Sequence, residues 1–190
     1  MIDSKYKIIL GSSSPRRKEI LTKMGVKYSI KEPTNKEFIK HELKKTDIPL
    51  EIARQKAKNL LHHVDDNSIL ITADTIVTCN EKILNKPRNE KEACKMLSLL
   101  SNRTHEVITG VYITSIKKQI SFSSSTKVTF SVLSEREINY YIKKSNPFDK
   151  AGGYGIQDWI GYIGIKKIEG SYSNVLGLPS SLLYNKLRSF

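Results

Sequence analysis

A mixed α/β architecture (α/β or α+β) is what this sequence predicts, on three observations. Strand-like and helix-like stretches alternate through the first half of the chain, as they do where strands run parallel. Two long strand-like stretches then adjoin around Lys117-Lys118, as in an antiparallel hairpin. The 190 residues are 38% hydrophobic, enough to bury a sizeable core.

Lys5 to Leu10 is predicted as a short apolar strand, closed by Gly11-Ser12-Ser13-Ser14. Ser14 is then expected as the N-cap, and Pro15 as the first residue, of a helix that Gly25 ends. Tyr28 to Ile30 resumes a strand, and polar residues 31–47 form a connection. Pro49 opens a second expected helix, with Ile52, Ala53, Ala57, Leu60 and Leu61 on its buried side. Ser68 to Thr78 is a strand signal, apolar on either side of Ala73-Asp74-Thr75, and Asn80-Glu81 turns it into Lys82 to Leu84.

A helix is expected over Glu90 to Leu100, followed by strands over His105 to Ile116 and Ser121 to Val132. Ser134-Glu135-Arg136-Glu137 has the form of a capping box and starts a helix reaching about Lys143. Asp149 to Gln157 reads as a glycine-rich loop, Tyr162 to Ile168 as a strand, and Pro179 as the opening of the last helix. No internal repeat and no long linker divides the chain, which reads as a single domain over 1–190.

The net charge of +13 draws attention to anionic partners. Residues 1–95 carry 20 Lys and Arg against 13 Asp and Glu, and residues 96–190 carry 12 against 6. Spread that evenly, with no basic tail or arginine block, the charge argues against nucleic acid. No apolar run approaches the ~18 residues of a membrane span. Two cysteines without a CxxC pair argue against structural zinc and disulfides, so a reducing cytoplasm is the expected setting.

Three places could carry chemistry. The run Gly11-Ser12-Ser13-Ser14-Pro15-Arg16-Arg17 would set hydroxyls, guanidinium groups and the positive end of a helix around one point, as a phosphate cradle does. The plainer alternative is a helix cap with two solvated arginines. Asp74, amid buried-strand residues, has to be paired, metal-bound or at the strand's end, because an isolated buried carboxylate is costly. The apolar surroundings favour a metal ligand or general base over a structural ion pair. Lys86, held by Pro87, could contact phosphate or be solvated, and Gln157 could read a base edge or lie at the surface. The four histidines form no HExxH, and no GxSxG nucleophile elbow occurs.

Taken in order, Ile9 to Leu21, Ala53 to Ala57, Ala73 to Val77, Asn85-Lys86-Pro87, Arg103 to Val111, Asp149 to Gln157 and Gly170 to Pro179 resemble the Maf family of nucleoside triphosphate pyrophosphatases. The resemblance implies a mixed α/β fold of two lobes around a central cleft, shared with inosine-triphosphate pyrophosphatases. It implies hydrolysis between the α- and β-phosphates, releasing nucleoside monophosphate and pyrophosphate with a divalent cation, magnesium or manganese. By the same resemblance Asp74 is the catalytic aspartate. Arg16, Thr75 and Gln157 occupy the positions that mark the dTTP/UTP branch, which limits non-standard or excess nucleotides. Ser12, Arg17, Lys56 and Lys86 match residues that hold the triphosphate, and Glu37 joins Asp74 as a metal ligand. A homodimer is implied by the resemblance alone.

The sequence departs from the family pattern at Asn102, where glycine is usual, at Asn146, where glutamate is common, and at Asp158, where glycine is common. The early acidic pair is half present, as Lys36-Glu37. Two other readings stand beside the dTTP/UTP one: a pyrophosphatase of the same family for CTP or modified pyrimidine nucleotides, and a non-catalytic nucleic-acid-binding or regulatory protein.

Overall fold

The computed structural model describes residues 5–34 and 43–190. Among them lie the strands β1 (Lys7–Gly11), β2 (Tyr28–Ile30), β3 (Ser68–Cys79), β4 (Lys82–Leu84), β5 (Thr104–Thr114), β6 (Gln119–Phe130) and β7 (Ile165–Glu169). They make one mixed sheet in the order β2-β1-β3-β5-β6-β7, with β4 paired to β3 off that path. The helices are α1 (Pro15–Lys23), α2 (Ile48–Leu60), α3 (Glu90–Leu100), α4 (Glu135–Ser145), α5 (Trp159–Gly164), α6 (Tyr172–Val175) and α7 (Ser180–Arg188). The predicted mixed α/β class is what the chain adopts.

Two compact units share the chain: Met1–Asp74, Thr109–Ser124 and Gly177–Phe190 form the first, Thr75–Ile108 and Ser125–Leu176 the second. In the first, β1 lies parallel to β2 and β3, with Ile8 opposite Tyr28 on one side and Ile69 on the other. Both connections carry helices, as parallel pairing requires. The apolar face of α2 meets the sheet where Ala57 and Leu60 pack with Ile9 and Leu70. The buried Thr72 hydroxyl donates to the Ala53 carbonyl at 2.7 Å, so a polar group within β3 is satisfied by the helix it supports. Gly110 of β5 lies under the start of α2: a Cβ there would stand 2.4 Å from the Leu50 nitrogen and 2.5 Å from the Pro49 carbonyl carbon. Only glycine lets strand and helix backbones come that close.

The second unit is organised around Leu97 and Leu100 of α3, Phe130 of β6, Tyr141 of α4 and Ile160 of α5, all fully buried. Asn89 caps α3 by accepting from the Glu92 N–H at 2.9 Å. The expected capping box opens α4, with Ser134 and Glu137 satisfying each other's backbone N–H groups. The β3–β4 turn places Asn80 and Glu81 at φ 48° and 63°, the left-handed geometry of a tight hairpin.

Several boundaries differ from the sequence expectation. The hairpin strands end at Thr114 and begin at Gln119, because the turn closes through Ser115 N–H to the Lys118 carbonyl at 2.8 Å. The strand predicted over Tyr162 to Ile168 is instead helix α5 followed by β7. Six residues are too few to display a helical period, and the turn is fixed by burial of Ile160 while Tyr162 stays 83% exposed. Pro179 occupies the N-cap of α7 rather than its first turn. The single turn α6, capped by Ser171, carries no periodic signal and was not expected. Asn102 and Asn146 both adopt positive φ, 54° and 43°, which asparagine tolerates better than most residues.

Candidate functional site

In the first unit, β1 runs apolar into Gly11 and delivers Ser12 to the start of α1. Ser14 holds the N-cap position and Pro15 the first turn, as expected, but the Ser14 side chain makes no capping bond. The Ser12 hydroxyl ties the turn instead, accepting from the Ser14 N–H and from Arg17 Nη1, each at 3.2 Å. Arg17 is not a solvated arginine. It is buried, and its Nε donates to the Gly177 carbonyl at 2.8 Å. The sequence held a sign of this, since Arg17 shares a helical stripe with the buried Ile20 and Leu21. Arg16, its neighbour in the first turn, is half-buried.

Asp74 lies inside the twelve-residue β3 and not at its end, so of the arrangements the sequence allows it takes the paired one. Its Oδ1 accepts from Lys56 Nζ of α2 at 2.7 Å, and the same ammonium is 3.4 Å from the Ala73 carbonyl. Both side chains are largely covered, 12% exposed for Lys56 and 17% for Asp74. The sequence marks Asp74 for catalysis, and the family resemblance marks Lys56 for phosphate. Their meeting is a product of how α2 sits on the sheet, and no local pattern announces it. Glu51, the other carboxylate of α2, is occupied by a bidentate pair with Arg54 at 2.8 Å and by Gln55 at 3.0 Å. The Arg54 hydrogen bonds hold its carboxyl below the usual carboxylate range.

The remaining candidates belong to the second unit. Thr75 follows Asp74 in β3 and is half-buried, and Lys86 follows β4 and is exposed beside the buried Pro87. Gln157 sits in a turn that Asp158 N–H closes onto the Gly155 carbonyl at 3.0 Å. Its Oε1 is buried and accepts no hydrogen bond among the described residues. That is an acceptor with nothing to accept from, a costly arrangement unless a ligand supplies the donor. Two tyrosines missed by the sequence reading pin this segment. Tyr141 accepts from the Gly155 N–H at 3.0 Å and donates to Asp158 Oδ2 at 2.7 Å. Tyr154 shares a 2.7 Å hydrogen bond with His105 Nε2.

His105 is stacked on Phe130, buried, and its Nδ1 has no partner among the described residues. Burial pushes its pKa down to about 4. The folded protein therefore favours the neutral ring, and the unfolded chain binds protons first as pH falls. Stability is expected to be fully held above about pH 6.5 and to decline towards about pH 4, with His105 contributing on the order of 3 kcal/mol. Urea unfolding across that range should show a shallower pH dependence in His105→Gln than in the parent. Equal slopes would remove the assignment.

Among the described residues no three His, Cys, Asp or Glu gather as a metal cluster. Glu37, expected as a second ligand, lies outside the described residues. Among the described candidates Asp74 offers a carboxylate, and its Oδ1 accepts from Lys56. One carboxylate oxygen fits a magnesium-type ion that takes its other ligands from substrate phosphates and water.

The protein-family model described as Maf-like protein matches residues 7–190. A protein of Phocaeicola vulgatus named dTTP/UTP pyrophosphatase is 51% identical over 185 residues, covering 97% of this chain and 96% of its own. One of the same name from Porphyromonas gingivalis is 48% identical over 195 residues, covering 100% and 98%. The solved structure of the Staphylococcus aureus Ham1 protein aligns with 95% of this chain and 99% of its own, at 14% identity and a TM-score of 0.48. No helix among the described residues is long and apolar enough to cross a membrane. With a family model matched from the first strand to the last residue and relatives near half identity over the whole length, this chain belongs to the Maf family.

Proposed function

We propose that this chain hydrolyses dTTP and UTP to the nucleoside monophosphate and pyrophosphate. The observation that carries the reading is the covered Asp74–Lys56 pair, a carboxylate held in one orientation by an ammonium 2.7 Å away. Full-length relatives named dTTP/UTP pyrophosphatase, at 51% and 48% identity, support the same substrate class.

In this reading Asp74 orients, and takes a proton from, the attacking water. Lys56 offsets charge on the phosphates, with Lys86 as a further cation. Ser12 and Arg17 act first by fixing the turn that leads into α1, since Arg17 donates to the Ser12 hydroxyl and to the Gly177 carbonyl. A magnesium or manganese ion held by Asp74 would supply charge neutralisation at the phosphates and a more acidic bound water. Glu37 is proposed as its second carboxylate.

Base choice follows from the amide of Gln157. Uracil and thymine present an N3–H between two carbonyl oxygens, so the orphaned Oε1 gains a donor and Nε2 an acceptor. Cytosine turns a lone pair at N3 towards Oε1 and leaves both acceptors unsatisfied. Sites that depend on such hydrogen bonds reject the mismatched ligand strongly. Arg16 and Thr75 complete the specificity set, Arg16 as a donor to a base carbonyl. The test is pyrophosphate release from dTTP, UTP, dCTP, dATP and dGTP with magnesium and with manganese. The expected kcat/KM for dTTP and UTP exceeds the others by about 10²-fold or more. Equal rates on all five would remove the base-reading roles, and no pyrophosphate from any would remove the activity.

A further inference from the structure

Apolar contacts seat α2 on the sheet, with Ala57 and Leu60 against Ile9 and Leu70, but such contacts have no direction and specify its height above β3 only loosely. A hydrogen bond supplies the direction. Thr72 and Asp74, two apart on β3, share a face of the sheet, and Ala53 and Lys56, three apart on α2, share a face of the helix. Two ties therefore cross from strand to helix, the Thr72 hydroxyl donating to the Ala53 carbonyl and Lys56 Nζ to Asp74 Oδ1, each at 2.7 Å. The first is wholly buried, with Thr72 and Ala53 both 0% exposed. The hydroxyl has one proton to give, and the Tyr112 carbonyl, 3.5 Å away, is too distant to compete for it. Its aim is set from β1. Gly11 pairs with Thr72, and a Cβ on Gly11 would stand 2.6 Å from Thr72 Cγ2. The bare Gly11 Cα makes room for the threonine methyl, and fixing the methyl fixes the hydroxyl, since both sit on one Cβ.

We propose that Thr72 is a positioning residue, its hydroxyl setting how close α2 lies to β3 and so holding Lys56 on Asp74. A lysine side chain has much rotamer freedom, so its ammonium keeps one place only while its backbone does. The pair it makes is largely covered, 12% and 17% exposed, so a small displacement is not made good by solvent. The inference rests on Asp74 and Lys56 as the reacting groups, and it adds the residue that fixes their separation. Thr72 acts through Lys56 and meets no substrate.

Thr72→Val and Thr72→Ser test it as a pair. Valine sets a methyl where the hydroxyl met the Ala53 carbonyl, and a carbon–oxygen contact needs roughly 3.3 Å, so the helix must recede. Serine keeps the donor and gives up the methyl beside Gly11. Thr72→Val is expected to lower kcat on dTTP about tenfold with KM within about threefold, since Asp74 and Lys56 are displaced from the chemical step. Thr72→Ser is expected to lower the urea midpoint while kcat stays within about twofold of the parent. Acetylation of Lys56 by a small amine-reactive ester, followed by mass spectrometry, reads the pair without turnover. It should run about fivefold faster in Thr72→Val and at the parent rate in Thr72→Ser. Unchanged Lys56 labelling in Thr72→Val, or turnover that follows the urea midpoint across both variants, would overturn the proposal. A parent that releases no pyrophosphate defeats the hydrolytic reading, and the labelling alone then decides. Faster labelling confined to Thr72→Val supports the tie, and equal rates in all three proteins overturn it.

Discussion

Asp74→Asn is expected to lower kcat on dTTP by about 10³-fold, within the range that loss of a positioned acid or base produces. The amide is isosteric, so β3 keeps its pairing, but it neither accepts a proton nor neutralises the cation beside it. Lys56, 12% exposed, then loses the compensating charge of Asp74, and stability should fall by about 2 kcal/mol. The double variant Asp74→Asn with Lys56→Met separates the two effects. Removing both charges should return the urea midpoint close to the parent's and leave turnover lost. Asp74→Asn with near-parent turnover, or a double variant that recovers activity, would show that Asp74 serves only to satisfy Lys56.

Gly110→Ala is expected to cost about 3 kcal/mol, at the upper end for one added methyl group. Its new carbon would meet the backbone of Pro49 and Leu50 within 2.7 Å, and backbone cannot rotate away as a side chain does. Helix α2 must lift from β5, taking with it the Thr72–Ala53 bond and the Lys56 ammonium. Turnover should therefore drop alongside stability, through Lys56. A urea midpoint within about 0.5 kcal/mol of the parent's would mean that strand and helix do not approach this closely.

The two variants probe different kinds of legibility. Asp74 stood out in the sequence because a charge in a run of β-branched and apolar residues violates the pattern of a buried strand. The reason it is tolerated, Lys56, lies eighteen residues away on another element. A carboxylate's need for a partner is local, but which residue meets it depends on packing. Arg17 shows the reverse. Its helical position beside Ile20 and Leu21 already marked a buried stripe, but its chemistry suggested solvent. Tyr141 gave no signal, because a hydrogen bond that crosses from a helix to a loop has no periodicity to read.

What the amino-acid order determined by itself is the local grammar. The capping box at Ser134, the helix over Glu90–Leu100 and the long strand at Ser68 follow from propensities and hydrogen bonds within a few residues. Segments too short for a period, such as Trp159–Gly164, were decided by which side chain could be buried against the rest of their unit. The tertiary structure alone decided that Lys56 faces Asp74, that the Arg17 guanidinium meets the Gly177 carbonyl, and that Tyr141 reaches Asp158. Each is a polar group desolvated by its surroundings. Its partner is selected by the folded geometry that removed water, and that geometry does not exist until distant segments have met.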